Sequence, residues 1–302
     1  MTNENLISSI RDRLKQISRN RKLDFQFVLT RYAVERFLYR LSKSKYKNQF
    51  ILKGALLFMV WSDQQFRPTK DLDLMGLVEE SAENLRAAVE EICRFDVEAD
   101  GMIYDFATIA INEIRDQQEY QGQRIKLTAR LGNARIPLQI DIGFGDAIVP
   151  GAVETYFPSL LNMQKPLIKA YPKEAAVAEK LQAMVALGMQ NSRMKDFYDL
   201  YVFANQFDFN GVILVEAMST TFRRRKTDLP ERIPLALSDE FSGDSQKLVQ
   251  WKAFLRKSGL HLNDDLRTII DYLRDFLLPP LNAAVKKEKF NKFWKNGGPW
   301  HD

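Results

Sequence analysis

Hydrophobic residues recur at helical spacing towards both ends of the chain and alternate with polar residues in between. Across the first fifty residues, apolar positions three or four apart predict two helices. The segments 106–114, 124–132 and 135–144 alternate apolar and polar side chains between turn-forming stretches, so they predict an antiparallel meander. Beyond Pro150 the helical spacing returns, and it predicts helices at 170–188, 195–207, 211–222, 245–258 and 263–277.

Between the first helices and the meander, the pattern predicts a buried helix, a strand and a second helix. The run KGALLFMVW (53–61) is uniformly apolar, and we interpret it as a buried helix entered at Gly54. The strand DLDLMGLV (71–78) follows, and AENLRAAVEEICRF (82–95) returns as an amphipathic helix. These segments form a β-α step.

Together the elements predict an α+β fold with two domains. Residues 1–150 would form a mixed or antiparallel β-sheet core with flanking helices, and residues 151–302 an α-helical C-terminal domain. The last residues, NGGPWHD, are expected to be frayed.

The composition excludes several classes of protein. One cysteine, Cys93, and two histidines exclude an internal disulfide framework and a clustered zinc site. The amino-terminal sequence lacks a basic start followed by an apolar run, and no stretch reaches a membrane-spanning length, so we expect a cytoplasmic protein. The net charge of +5 arises from 44 basic and 39 acidic residues, a balance that does not by itself indicate a polyanionic partner.

Two aspartates in RPTKDLDLMG (67–76) are the first candidates for chemistry. Side chains alternate along a strand, so Asp71 and Asp73 project from one face while the intervening leucine packs on the other. Like charges so close disfavour joint ionisation unless a cation lies between them. A Mg²⁺ ion bound by one or two carboxylates, water and substrate phosphates would supply that cation.

A third carboxylate occurs in PLQIDIGFGD. Asp141 lies between Ile140 and Ile142, which by alternation face the core, so Asp141 projects from the open face of its strand. Asp146 is the rival candidate, but it lies beyond the alternating run and is interpreted as a turn residue. Three carboxylates on neighbouring strands are typical of a site that positions a phosphoryl group with metal ions.

The ordered motifs LKGALLF, RPTKDLDL, IPLQIDIGFGD, YPKEAAVAEKLQA and KDFYDLY resemble those of the AbiEii-type abortive-infection toxins, which belong to the polymerase-beta-like nucleotidyltransferase superfamily. The resemblance covers roughly residues 6–230. It implies a nucleotidyltransferase core in which Asp71, Asp73 and Asp141 bind Mg²⁺ and act in catalysis on an NTP substrate.

The resemblance also implies roles for residues around the carboxylates. Gly54 matches a helix-start glycine whose backbone would cradle a triphosphate, although Ala55 replaces the glycine or serine that the family often has next. Lys53 and Arg67 flank the site and would pair with phosphate or carboxylate, Arg67 being preferred for its bidentate geometry. Thr69 joins them as a nucleotide-binding candidate.

Lys180 matches the lysine of a family motif and is expected to contact the triphosphate. The alternative is an ion pair with Asp196 or Asp199, which lie one helical turn apart. Asp196 is interpreted as a helix cap or first-turn residue, and Asp199 as a catalytic residue that orients Lys180 or acts as a base. Glu179 is interpreted as a charge on the solvent face of its helix.

These assignments predict a Mg²⁺-dependent nucleotidyltransferase. By resemblance, it would be the toxin of a toxin–antitoxin or phage-defence system, its acceptor would be the 3′ end of tRNA, and a cognate antitoxin would be its partner. The basic segments RRRK (223–226) and KKEKFNKFWK (286–295) would contact RNA, unless they are ordinary solvated surface. A metal-dependent nuclease and a non-catalytic nucleotide-binding or partner-binding protein remain the alternatives.

Overall fold

The chain divides into two compact units in the computed structural model, which describes residues 3–62, 66–115 and 121–302. The first unit comprises Met1–Gly145 and Val153–Ala170, and the second comprises Asp146–Ala152 and Tyr171–Asp302. The short segment Asp146–Ala152 therefore belongs to the second unit although residues of the first unit flank it on both sides. The domain boundary at residue 150 stays a prediction.

The first unit contains four helices and seven strands among the described residues. The helices are α1 (Asn3–Arg21), α2 (Phe25–Lys43), α3 (Leu57–Ser62) and α4 (Ala82–Arg94), with a 3-10 turn at Gly54–Leu56. The strands are β1 (Phe50–Lys53), β2 (Leu72–Gly76), β3 (Met102–Arg115), β4 (Gln121–Leu131), β5 (Ala134–Phe144), β6 (Val153–Tyr156) and β7 (Leu167–Ala170).

All seven strands form one mixed sheet in the order β3-β4-β5-β2-β1-β7-β6. The meander β3-β4-β5 is antiparallel, as the alternation predicts, and the connection between β3 and β4 lies outside the described residues. Strand β2 runs parallel to β5 and antiparallel to β1, which in turn runs parallel to β7. The predicted α+β class with a mixed sheet is confirmed.

Three strands of the first unit escaped the sequence analysis, as did the three two-residue strands of the second unit. Strand β1 has the sequence FILK, and its last residue, Lys53, is also the first residue of the run that was interpreted as one helix, so the end of the strand was assigned to that helix. That run in fact consists of the end of β1, the 3-10 turn and α3. Strands β6 and β7 have only four residues each, too few for a clear alternation.

A buried network of charges joins α2 to two loops of the first unit. Asp100, which is 2% exposed, accepts hydrogen bonds from Arg36 Nε at 3.0 Å and from Arg40 Nη1 and Nη2 at 2.6 and 3.0 Å. The Glu35 carboxylate accepts from Ser159 Oγ at 2.8 Å and from the backbone N–H of Leu160 at 2.7 Å. Every charge in this network has an opposite charge or a donor within hydrogen-bonding distance, as burial of charge requires.

The second unit is largely helical. Its helices are α5 (Lys173–Leu187), α6 (Met194–Gln206), α7 (Gly211–Arg224), α8 (Asp239–Gly243), α9 (Ser245–Ser258) and α10 (Leu266–Lys286), and its strands are β8 (Phe209–Asn210), β9 (Phe293–Trp294) and β10 (Trp300–His301). Pro172 precedes α5 and Gly188 follows it, so the predicted helix limits are confirmed.

The C-terminus is ordered, and the prediction that it frays was wrong. Strand β10 pairs with β9, which pairs with β8. The Trp300 indole lies 5.5 Å from that of Trp294 between ring centres and donates a hydrogen bond to the carbonyl of Phe276 at 2.9 Å. Aromatic packing therefore fixes a segment that its glycines and polar residues suggested was loose.

In the described part of the chain, no helix combines the length and the apolar character needed to cross a membrane.

Candidate functional site

The candidate site of the first unit lies where β2 is flanked by β1 and β5. Asp73 lies on the middle strand of these three and is partly exposed, and its Cα is registered with Lys53 on β1 and with Asp141 on β5. Asp71 immediately precedes β2 and is exposed. Leu72 and Leu74, which alternate with the aspartates, are buried at 1% and 2% exposure and anchor the strand.

Gly54 is packed against the carboxylate of Asp73. A Cβ atom added at Gly54 would lie 2.0 Å from Asp73 Oδ2, and the backbone there has a φ of +74°. Both conditions require glycine. The sequence analysis assigned this glycine to a triphosphate cradle. The structure gives it a further role, because the absence of a side chain lets Asp73 take its position, and the triphosphate cradle stays a prediction.

Arg124 on β4 is the residue that the sequence analysis missed. Its Nε donates to Asp141 Oδ1 at 2.8 Å and its Nη2 donates to Oδ2 at 2.7 Å, a bidentate ion pair. Gln139 Nε2 lies 3.3 Å from the same Oδ2. The two-residue turn between β4 and β5 sets a register that pairs residue 124 with residue 141, so the turn was the signal that could have found this pair.

The electrostatics of Arg124 connect all three aspartates. Its pKa is raised, first by the hydrogen bonds with Asp141 and then by the charge of Asp141, with smaller contributions from Asp71 and Asp73. The negative charges of all three aspartates therefore act on the guanidinium, whose single positive charge offsets only one of them.

The carboxylates fit a magnesium ion only in part. In the described residues, no group of three aspartate, glutamate, histidine or cysteine side chains is placed to hold a metal. Mg²⁺ needs only one or two protein carboxylates when water and substrate phosphates complete its shell, so Asp71 and Asp73 suit it. Both oxygens of Asp141 are already bonded to Arg124. Metal binding by Asp141 therefore stays a prediction.

The other predicted nucleotide-binding residues lie at the end of β1 or shortly before β2. Lys53 ends β1 opposite Asp73 and is partly exposed. Arg67 and Thr69, also partly exposed, lie in the segment that leads into β2. Their contacts with nucleotide remain predictions.

Lys180 of the second unit is held by two buried carboxylates. Its Nζ lies 2.7 Å from Asp196 Oδ1 and 2.8 Å from Asp199 Oδ2, and these carboxylates are 3% and 0% exposed. Arg193 Nε lies 3.0 Å from the other oxygen of Asp196. The ion pair weighed as an alternative for Lys180 is thus present with both aspartates. Asp196 lies in the first turn of α6, as one of its two interpretations held, and it makes these ion pairs in addition.

Two further acidic residues in this unit bind an arginine. Arg225 Nη2 lies 3.0 Å from Asp146 Oδ1 and 3.2 Å from Glu179 Oε2, and Arg225 Nη1 donates to Gln182 at 2.9 Å. Asp146 is therefore a buried ion-pair partner rather than an ordinary turn residue, and the solvent-face interpretation of Glu179 was wrong.

The pairing of Asp196 with cations makes a pH-dependent contribution to stability. Burial raises the pKa of Asp196, but Lys180, Arg193 and Lys195 outweigh it and lower the pKa from 3.8 to about 2. Because the folded-state pKa lies below the unfolded one, the ionised carboxylate stabilises the fold above about pH 4, and this contribution is lost as the pH falls towards 2.

We therefore expect Asp196→Asn to flatten the pH dependence of the unfolding free energy between about pH 4 and pH 2. At neutral pH, the substitution is expected to lower the free energy of unfolding by about 2 kcal/mol. Urea unfolding across this pH range measures it, with Asp271→Asn, an exposed partner of Arg274, as the control. Parallel pH curves for Asp196→Asn and wild type would contradict the assignment.

Comparison with solved structures defines the class of fold. The chain aligns with the crystal structure of JHP933 from Helicobacter pylori at a TM-score of 0.50 and 15% identity, covering 88% of this chain and 95% of that one. A second H. pylori protein, designated a candidate nucleotidyltransferase, aligns at 0.50 and 15%, covering 89% of this chain and 100% of that one. The fold is that of the nucleotidyltransferase-like proteins.

The family model of the nucleotidyl transferase AbiEii toxins, of the type IV toxin–antitoxin systems, matches residues 36–284. The chain belongs to this family, and it is a nucleotidyltransferase toxin. Membership implies a cognate antitoxin as partner. Comparison with curated proteins gave no match.

Proposed function

We propose that the protein transfers a nucleotide from an NTP to the 3′ end of an RNA, in a reaction that depends on Mg²⁺. The observation that carries this proposal is the register of β1, β2 and β5, which places Asp73 beside Asp141 and over Gly54, with Asp71 two residues away. The family resemblance suggests that the acceptor RNA is a tRNA.

In the proposed reaction, the terminal hydroxyl oxygen of the RNA bonds to the α-phosphorus, the bond to the β-phosphate oxygen breaks, and pyrophosphate leaves. Asp71 and Asp73 would hold Mg²⁺, which when bound neutralises charge on the phosphates and polarises the phosphoryl oxygen. Asp141 lies next to Asp73, and it would bind a metal ion and help to remove the proton of the hydroxyl. The assignment of Lys180 to the triphosphate rests on the family resemblance alone, and its 2.8 Å ion pair is the contact through which Asp199 would orient it.

The second unit carries a basic surface that suits RNA phosphates. It consists of Lys286, Lys287, Lys289, Lys292 and Lys295, which are all exposed, and we call it the C-terminal basic surface. Phe293, at 50% exposure, lies among these lysines and could stack on a base. Trp294 is buried and donates to the Ala204 carbonyl at 2.7 Å, so it supports the surface from within.

The segment RRRK contributes less to such a surface. Arg225 is committed to Asp146 and Glu179 within the unit. Arg223, Arg224 and Lys226 are exposed.

The test is incubation with each labelled NTP, Mg²⁺ and total RNA, followed by electrophoresis and sequencing of RNA 3′ ends. Extended, labelled RNA whose labelling is lost on chelation supports the proposal. Shortened RNA would indicate a nuclease instead. Label on the protein alone, or labelling that survives chelation, would contradict the proposal.

We expect Asp71→Asn to raise the Mg²⁺ concentration needed for half-maximal transfer at least about tenfold, since loss of even an outer-shell partner costs a metal site about 10- to 100-fold in affinity. Asp71 precedes the strand and is exposed, so the fold should tolerate the change. Asp105→Asn, which removes a surface partner of Arg130, is the matched control. An unchanged Mg²⁺ requirement in Asp71→Asn would exclude Asp71 as a ligand.

A further inference from the structure

Arg124 occupies both oxygens of the carboxylate next to Asp73. Its two hydrogen bonds to Asp141, at 2.7 and 2.8 Å, have the parallel geometry of a full guanidinium–carboxylate fork. A metal ion bound by Asp141 would need one of these oxygens, so Arg124 and the metal would compete for the same ligand. The competition is electrostatic as well, because a monovalent cation at this point repels an arriving divalent one.

Arg124 is also more exposed than its carboxylate partner. Its side chain is 38% exposed, whereas the Asp141 carboxylate is 17% exposed. Arginine has a long, flexible stem, so its guanidinium can turn towards solvent or a ligand while Asp141 stays in place. By contrast, Arg36 and Arg40 of α2 are buried and fixed on Asp100, so they have no such freedom.

We propose that Arg124 is an exchangeable counter-ion of the site, an inference that rests on the proposed function. Before substrate binds, its guanidinium neutralises Asp141. When the metal and the nucleotide arrive, Asp141 passes to the metal and Arg124 passes to a phosphate of the nucleotide. The exchange makes and breaks no covalent bond. The same fork that fits a carboxylate fits a phosphate.

The exchange predicts opposite effects on two affinities. Loss of the positive charge in Arg124→Gln should strengthen binding of a divalent ion alone by about tenfold, because one repelling charge several ångström away is removed. The same change should weaken binding of an NTP in the presence of the metal by about tenfold, because a phosphate contact is lost. A residue with only a structural role would not move the two affinities in opposite directions.

The control variant is Arg130→Gln. Arg130 lies on the same strand and also pairs with an aspartate, Asp105, at 3.2 Å, but this pair is on the surface and away from Asp141. Arg124→Lys is a second control, since lysine keeps the charge without the fork. It should bind the divalent ion about as wild type does and bind the NTP more weakly.

The experiment is a titration with Mn²⁺ followed by electron paramagnetic resonance, and calorimetry with a non-hydrolysable NTP at saturating Mn²⁺. Wild type, Arg124→Gln, Arg124→Lys, Arg130→Gln and Asp73→Asn are compared, and thermal unfolding checks each fold. Tighter Mn²⁺ and weaker NTP binding in Arg124→Gln, with Arg130→Gln unchanged, supports the exchange.

Two other results separate the inference from the function on which it rests. If wild type binds Mn²⁺ through Asp73 but Arg124→Gln binds it within about twofold of wild type, the exchange alone is overturned. If wild type binds no Mn²⁺, or if Asp73→Asn binds Mn²⁺ as tightly as wild type does, the exchange and the proposed metal site are both overturned.

Discussion

Gly54→Ala is expected to lower nucleotide transfer at least about a hundredfold, because a misplacement of about 1 Å at a reacting centre can cost this much. The added methyl group would lie 2.0 Å from Asp73 Oδ2, 2.7 Å from Cγ and 2.8 Å from Cβ. Real Cβ contacts are essentially never under 3.0 Å, so either the carboxylate or the turn must shift. Steady-state assays of labelled NTP transfer measure the loss.

Gly259→Ala isolates the backbone contribution to this effect. Gly259 follows α9 with a φ of +62°, close to the +74° of Gly54, but a Cβ there meets no atom within 4 Å. Both variants carry the left-handed strain of about 1–2 kcal/mol, and only Gly54→Ala displaces Asp73. Comparable losses of activity in the two variants would show that the contact with Asp73 is not the cause.

Asp100→Ala is expected to lower the free energy of unfolding by about 3–5 kcal/mol, because removal of one partner leaves buried charge uncompensated. Asp100 is the common acceptor for Arg36 and Arg40, which are 1% and 6% exposed. These guanidiniums attach α2 to the loop that precedes β3. Equilibrium urea unfolding measures the change.

Asp105→Ala is the control for that experiment, since Asp105 also pairs with an arginine but the pair is on the surface. Surface pairs contribute about 0–1 kcal/mol. If Asp100→Ala costs no more than Asp105→Ala, the buried network does not anchor α2. The pKa of Asp100 is lowered in the fold: burial raises it, but Arg40 and Arg36 outweigh burial.

The sequence allowed much of the sheet to be predicted because its strands follow local rules. Ile140, Asp141 and Ile142 alternate between core and open face, and the isoleucines are each 1% exposed as expected. Pro172 and Gly188 delimit α5 as helix-capping rules require. Both signals involve residues near in sequence, so no knowledge of the tertiary structure was needed.

The contacts that were missed depend on pairings between distant segments. Strand β1 lies against β2 without a short turn between them, so nothing local places Gly54 on Asp73. Arg124 is a partial exception, because the tight turn between β4 and β5 fixes its register with Asp141.

The polypeptide passes between its two units three times, at residues 145–146, 152–153 and 170–171. A single truncation cannot recover either unit whole. A fragment that ended at residue 150 would lose β6 and β7 and leave β1 with one lateral row of backbone donors and acceptors unsatisfied. Such open edges recruit other strands, so fragments of this toxin would self-associate before they could be assayed.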